Sequence, residues 1–202
     1  AIDVGGGTGA HAEVFAGLGL RAVVVDVNRE MCRRAASRGL EVVQASSEDL
    51  PMRPDSAGLV YFHLSIHYGD WPRVLEEAHR VAAPGGRIEI WTFDEDGIRS
   101  SSLARWFPTV GDIDAERFPD PGLLAARLTE LGAEVDITDL PDRVERRAGD
   151  WIDAVTARFV STLQLVPPDE IEEGLAAFRQ ANPDPDGTYA YTLSYRRIEA
   201  LV

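Results

Sequence analysis

AIDVGGGTGA (residues 1–10), followed by HAEVFAGLGL (11–20) and RAVVVDV (21–27), decides the fold. AIDV reads as a short apolar strand, and the glycines at 5, 6, 7 and 9 form a turn directly after it. HAEVFAGLG reads as a short helix with Val14, Phe15 and Leu18 on one face. RAVVVDV is an uninterrupted apolar run, the pattern of a parallel strand covered on both faces. Strand, glycine turn, helix and strand in that order make a βαβ unit, and such a unit builds a parallel sheet.

The same alternation continues outward. Asn28 is placed to cap a helix REMCRRAAS (29–37), which Gly39 ends. LEVVQA (40–45) and GLVYFHL (58–64) read as strands three and four. Asp70 precedes a helix WPRVLEEAHRVAA (71–83), with Val74, Leu75, Ala78 and Val81 at helical spacing. PGG (84–86) ends it, and RIEIWTF (87–93) is strand five. Residues 94–120 are polar and irregular. PGLLAARLTELGA (121–133) is then a helix with an apolar stripe from Leu123 to Leu131, and EVDITDL (134–140) is strand six. DWIDAVTARFVSTLQLV (150–166) and PDEIEEGLAAFRQA (168–181) read as two helices, and TYAYTLSYRRIEAL (188–201) alternates as a last strand. The organisation expected is one α/β domain over 1–202, with a ligand-binding half at 1–93 and insertions at 94–122 and 141–188. A buried strand at the first residue leads us to expect a further N-terminal segment before it.

Composition narrows the partners. The 202 residues are 45% hydrophobic, enough for a sizeable core, and carry a formal charge of −14. Such a chain repels phosphate backbones, and its paired arginines (33–34, 146–147, 196–197) sit among acids, so nucleic acid is not an expected partner. A single cysteine, Cys32, leaves no internal disulfide and fits a reducing, cytoplasmic compartment. No run approaches the length of a membrane span. The four histidines and one cysteine lack ligand spacing, so no metal is expected. Ser161 lies outside any nucleophile-elbow context.

The glycine turn has two readings. Gly5, Gly7 and Ala10 with Asp26 satisfy the dinucleotide fingerprint, which implies a nicotinamide oxidoreductase. Charge favours another ligand. A pyrophosphate wants bare amides or a nearby base. Here Asp3 stands two residues before the turn, and no Lys or Arg occurs in residues 1–20. S-adenosylmethionine (SAM) carries no phosphate but has a sulfonium, an ammonium and one carboxylate. An acid beside the loop suits its ammonium, directly or through water, while loop amides suit its carboxylate.

DVGGGTG (3–9) resembles motif I of the class I SAM-dependent methyltransferases, small-molecule branch, in which an acid precedes G-x-G-x-G. The resemblance runs to about Phe93. It implies that Asp3, Gly5, Gly6, Gly7 and Gly9 form the donor loop, that Asp26 holds the ribose, and that Val27 and Met31 flank the adenine. SSEDLPM (46–52) resembles the family's D-A-E-D-L-P-F segment, which puts Ser46, Ser47 and Glu48 at the adenine edge, although Ser46 stands where an Asp is common. EEAHRVAAPGGRIEIWTF (76–93) resembles the family's helix end and fifth strand. The resemblance also implies a doubly wound, mostly parallel seven-stranded sheet of order 3-2-1-4-5-7-6 with helical lid insertions. YFHL (61–64) replaces the N/D-P-P-Y/F of enzymes that methylate planar nitrogens.

The function expected is methyl transfer from SAM to a small molecule, with O-methylation favoured over N or C. A non-catalytic SAM-binding domain is a third reading. An O–H acceptor needs a base. His67, after strand four, is the candidate, and His63 is a candidate lining of the donor site. His11 reads as a helix-surface residue. Trp106, Trp151 and Arg158, in the insertions, are candidates for the acceptor.

Overall fold

The computed structural model describes all 202 residues. The chain runs β1 (Ile2–Val4), α1 (Ala10–Gly17), β2 (Val23–Asp26), α2 (Arg29–Ser37), β3 (Glu41–Gln44), β4 (Ala57–His63), α3 (Trp71–Val81) and β5 (Ala82–Thr92). Then come α4 (Glu95–Arg99), α5 (Ser102–Trp106), α6 (Pro108–Arg117), α7 (Pro121–Glu130) and β6 (Glu134–Arg147). α8 (Ala148–Thr156), α9 (Pro168–Ala181) and β7 (Thr188–Leu201) complete it. The seven strands form one sheet of order β3-β2-β1-β4-β5-β7-β6, the order the family resemblance implies. β1 to β5 pair in parallel, and β7 runs antiparallel to β5.

The chain divides into two compact units. The first is Ala1–Thr92, Pro119–Thr138 and Arg196–Val202. On one face of its sheet, Val4, Val25, Val60, Phe62, Ile88 and Ile90 pack against Val74, Leu75, Ala78 and Val81 of α3 and Leu124 and Leu128 of α7. On the other face, Val24 packs with Ala12 of α1 and Ala35 of α2. The alternation of Val24 and Val25 between faces follows from the two-residue period of a strand. Asn28 caps α2 as expected, its side chain accepting from Glu30 and Met31 N–H. Asp70 occupies the cap position of α3 without a side-chain bond.

Three local expectations change. Val14 of α1 and Leu18, just past its end, are 59% and 74% exposed, and the helix packs through Ala12 and half-buried Phe15. A small residue lets this short helix lie close to β1, and larger apolar neighbours are left outside. β5 begins at Ala82 and runs through the PGG turn, with the single residue Gly58 of β4 set against residues 83–86 of β5 between paired positions. In α7 the stripe narrows to Leu124 and Leu128, while Leu123 lies exposed.

The second unit is Phe93–Phe118 and Asp139–Tyr195. The stretch read as irregular holds three short helices, α4 to α6. The helix expected over 150–166 breaks after α8, where Arg158 takes a left-handed φ of 51° and a 3-10 turn follows at Ser161–Gln164. The core gathers Phe107, Val110, Trp151, Val155, Leu163, Ile171, Leu175, Phe178 and Tyr189.

Candidate functional site

The site of the first unit is built at the carboxyl ends of β1, β2 and β4, where open α/β sheets place their ligands. β1 ends at Val4, and Gly5 N–H donates to the Val25 carbonyl at 2.7 Å, turning the loop back along β2. Three glycines of the loop are closely approached, Gly9 by Cδ1 of Leu40, which a Cβ would meet at 2.3 Å. A Cβ on Gly5 would lie 2.5 Å from Cβ of Ser65, and one on Gly6 would lie 2.6 Å from Cγ of Asp3. Gly7, at φ +55°, differs, because a Cβ there meets nothing within 4 Å. The loop is therefore packed from behind at Gly5 and Gly6 and open at Gly7.

Asp3 lies behind this loop, 1% exposed, with Ala12 N–H donating to its Oδ2 at 3.2 Å. Burial pushes its carboxyl up to about 6, against the Ala12 bond and together with the repulsion of Asp26. In that position Asp3 shapes the loop and ties it to α1. The expected direct pairing with a ligand ammonium finds no open surface at Asp3. Asp26, at the end of β2, accepts from Gly7 N–H on Oδ2 (2.9 Å) and from Asn28 N–H on Oδ1 (2.7 Å). Each oxygen keeps acceptor capacity. Val27 is 71% exposed beside it, and Met31 is half-buried.

Ser46, Ser47 and Glu48 form a turn after β3. Ser46 Oγ accepts from Glu48 N–H, and Glu48 Oε1 accepts from Asp70 N–H at 2.8 Å. Glu48 thus braces this turn against the start of α3, and its carbonyl takes the Arg73 guanidinium as well. Exposed Ser46 is the open member of the three.

His63 ends β4. Its ring lies 4.4 Å from that of His11 and 6.0 Å from that of Trp91, and Nδ1 meets the Tyr61 hydroxyl at 3.3 Å. Burial, helped by the neighbouring imidazole, pushes His63 down to about 4, so it is neutral at pH 7. His11 is half-buried in this group, where a surface position was expected. The reason is the close seating of α1 through Ala12. His67 lies half-buried in a 3-10 turn, its ring 4.1 Å from Tyr68.

Ser65 was not singled out by sequence. Its hydroxyl donates to the Val4 carbonyl at 2.6 Å, and its Cβ backs Gly5. Leu64, at φ 51°, swings it into place. A small polar residue after β4 is the only sequence signal, and it does not say that β1 is its partner.

In the second unit, Trp151 is 1% exposed, stacked 4.0 Å from Phe178, with its N–H donated to Ser102 Oγ. It is a core residue rather than a wall. Trp106 is half-buried and donates to the Tyr189 hydroxyl at 3.1 Å. The Arg158 guanidinium donates to the carbonyls of Leu163 and Val166, clamping the 3-10 turn.

The residues fit the donor deduced from sequence. The open side at Gly7 leaves room above the loop, Asp26 presents carboxylate oxygens beside it, and neutral His63 adds no cation that would repel a sulfonium. No group of three or more acidic, His or Cys side chains is disposed to hold a metal.

Residues 2–90 match the family described as "Methyltransferase domain". The chain is 28% identical over 170 residues to the glycine/sarcosine/dimethylglycine N-methyltransferase of Actinopolyspora halophila, covering 78% of this chain and 29% of that one. It is 30% identical over 123 residues to the malonyl-[acyl-carrier protein] O-methyltransferase of Pectobacterium atrosepticum, covering 58% and 47%. The chain thus spans less than half the length of these curated relatives. Among solved structures, a protein described as a methyltransferase from an antibiotic biosynthesis pathway of Anabaena variabilis superposes with a TM-score of 0.80 at 20% identity, covering 100% and 91%. That likeness shows the fold.

Proposed function

We propose that this chain, whose residues 2–90 match the family described as "Methyltransferase domain", is a class I SAM-dependent methyltransferase that transfers a methyl group from SAM to a small-molecule acceptor, with an oxygen nucleophile preferred. The observation that carries this reading is the glycine loop, packed from behind at Gly5 and Gly6, open at Gly7 and joined there to Asp26. Similarity to both an N- and an O-methyltransferase supports the reaction class and leaves the accepting atom to this chain's own residues.

When bound, SAM supplies an electrophilic methyl carbon whose displacement leaves a neutral thioether. The chain's residues do the rest. Asp26 takes the ribose hydroxyls with its remaining lone pairs, Val27 and Met31 flank the adenine, and Ser46 reads its edge. The amides of the open loop take the carboxylate. Neutral His63 lines the site without opposing the positive sulfur. Alignment supplies most of the rate, because the leaving group is good. His67 takes the proton of an O–H acceptor as its oxygen attacks. The acceptor is bound in the second unit, with Trp106 as the aromatic contact.

No helix is long and apolar enough to cross a membrane. A reducing cytoplasmic compartment suits the lone Cys32, whose thiol is buried against the Asp26 carbonyl.

Calorimetric binding of S-adenosylhomocysteine (SAH) tests the donor assignment. SAH binds, and NADH does not compete. Binding of NADH without SAH would overturn the reading in favour of an oxidoreductase. With an acceptor in hand, His67→Ala lowers kcat at least tenfold while SAH affinity stays unchanged. Unchanged kcat removes His67 from the reaction.

A further inference from the structure

Residues 64–70, between β4 and α3, touch the glycine loop with one end and the turn after β3 with the other, and they carry His67 between. The segment starts at Leu64, whose φ of 51° is a left-handed conformation that an L side chain keeps only where its surroundings hold it. Its N–H donates to the Trp91 carbonyl at 2.9 Å. That bend delivers Ser65, 8% exposed, against β1. The Ser65 hydroxyl donates to the Val4 carbonyl at 2.6 Å, and its Cβ fills the space that a Cβ on Gly5 would need, 2.5 Å away. Val4 and Gly5 are where β1 becomes the glycine loop. The Ser65 carbonyl accepts from Tyr68 N–H at 3.2 Å, closing the 3-10 turn Ile66–Tyr68 around His67. One residue thus holds the loop with its side chain and the His67 turn with its main chain.

The rest of the segment is braced as well. Ile66, 1% exposed, anchors the 3-10 turn in the core of the sheet. Asp70 N–H donates to Glu48 Oε1 at 2.8 Å. Gly69 packs so close to the same turn that a Cβ there would lie 3.0 Å from Glu48 Oε1 and 3.2 Å from Ser47 Oγ. The segment is therefore fixed at the glycine loop and at the Ser46–Glu48 turn, the two places assigned above to opposite ends of the donor. Close-packed contacts pass a displacement on rather than absorb it. A shift of the loop at Val4 and Gly5 moves Ser65, and with it the turn that presents His67.

We propose that Ser65 is a positioning residue that ties the donor loop to the turn carrying His67, so that filling the donor site sets the orientation of the His67 imidazole. This deepens the proposed function, on which it rests, by making the base answer to the donor. The coupling is reciprocal: what donor binding does to the turn, the turn does to donor affinity.

The test uses SAH and needs no acceptor. The Hε1 resonance of His67, assigned by its loss in His67→Gln, is followed by NMR as SAH is added. The His67 ring lies 4.1 Å from that of Tyr68, so a small rotation changes its ring-current shift. In the wild type, saturating SAH moves this resonance, while that of His79 on α3 stays in place. Ser65→Ala removes the bond to Val4. SAH affinity then falls about fivefold, and the His67 response at saturation drops to less than about half. Ser65→Cys, which keeps the volume and a weak donor, gives an intermediate response. A serine with a merely structural role would lower stability and leave the response at saturation intact. Equal responses in wild type and Ser65→Ala overturn the coupling, as does SAH binding that leaves the wild-type His67 resonance unmoved. If Ser65→Ala does not fold, Ser65→Cys decides, and a response of wild-type size there overturns the coupling. Failure of the wild type to bind SAH by calorimetry overturns the methyltransferase reading itself, and the coupling falls with it.

Discussion

At the glycine loop, neighbouring residues of one type do different work. Gly5 and Gly6 are glycines because Ser65 and Asp3 press against them, whereas Gly7 is a glycine with nothing beside it. Gly19, at φ +83°, is likewise open and sits past the end of α1, outside the loop. Alanine at either position incurs a left-handed backbone cost of about 1 kcal/mol. Urea denaturation should therefore show similar losses for Gly7→Ala and Gly19→Ala. SAH affinity should fall at least tenfold only in Gly7→Ala, where the methyl group enters the space above the loop. Equal SAH affinity in the two variants would show that this space is not the donor site. Asp3 and His63 make a second residue-scale prediction. Folded His63 titrates near 4 against about 6.5 unfolded, so its contribution is present above pH 6.5 and lost as pH falls toward 4. Folded Asp3 titrates near 6 against 3.8, so acidification through that range favours the fold. The two windows overlap with opposite sign. In His63→Gln only the Asp3 effect remains, and between pH 7 and 5 the variant should gain about 2 kcal/mol relative to wild type. A pH-independent difference in urea midpoint refutes this.

Among the elements, α9 and α1 show how far spacing alone carries. PDEIEEGLAAFRQA is legible as a helix from its apolar spacing, and α9 has those bounds. The role of Gly174 within it is not legible, since a helix-interior glycine reads only as a weak point. The structure supplies the reason, because a Cβ there would lie 2.3 Å from Cε1 of Phe107 and 2.4 Å from the Trp106 carbonyl. Gly174→Ala improves helix propensity by about 1 kcal/mol yet overpacks the aromatic core at a cost of about 1–3 kcal/mol. The variant should lower the urea midpoint, and a raised midpoint would show that the helix moves away freely. For α1 the sequence placed the helix and the packing of Phe15, but Val14 and Leu18, chosen with it, lie exposed. Eight residues give a weak periodic signal, and Ala12, which decides how closely α1 seats, carries no hydrophobic weight. The seating in turn buries His11 beside His63, which no spacing announces.

Across the whole molecule, charge is the property that reaches furthest. SAM carries one more positive charge than SAH at neutral pH, and a chain at −14 attracts the difference. The ratio of SAM to SAH affinity should fall severalfold between about 50 and 500 mM salt, as screening shortens from about 14 to about 4 Å. A ratio indifferent to salt would mean that the field does not select the donor.

The sequence by itself determined the strand order through its resemblance, the glycine loop, the acid at the end of β2 and the net charge. These depend on short spacings and on composition, which a chain carries whatever its tertiary contacts. Only the tertiary structure decided that Asp3 lies beneath the loop, that Ser65 closes against β1 across 61 residues, and that Ser102 meets Tyr189 across 87. Single polar residues carry no periodicity, and the partner of a hydroxyl or carboxylate is chosen by which backbone the fold brings within three ångströms of it.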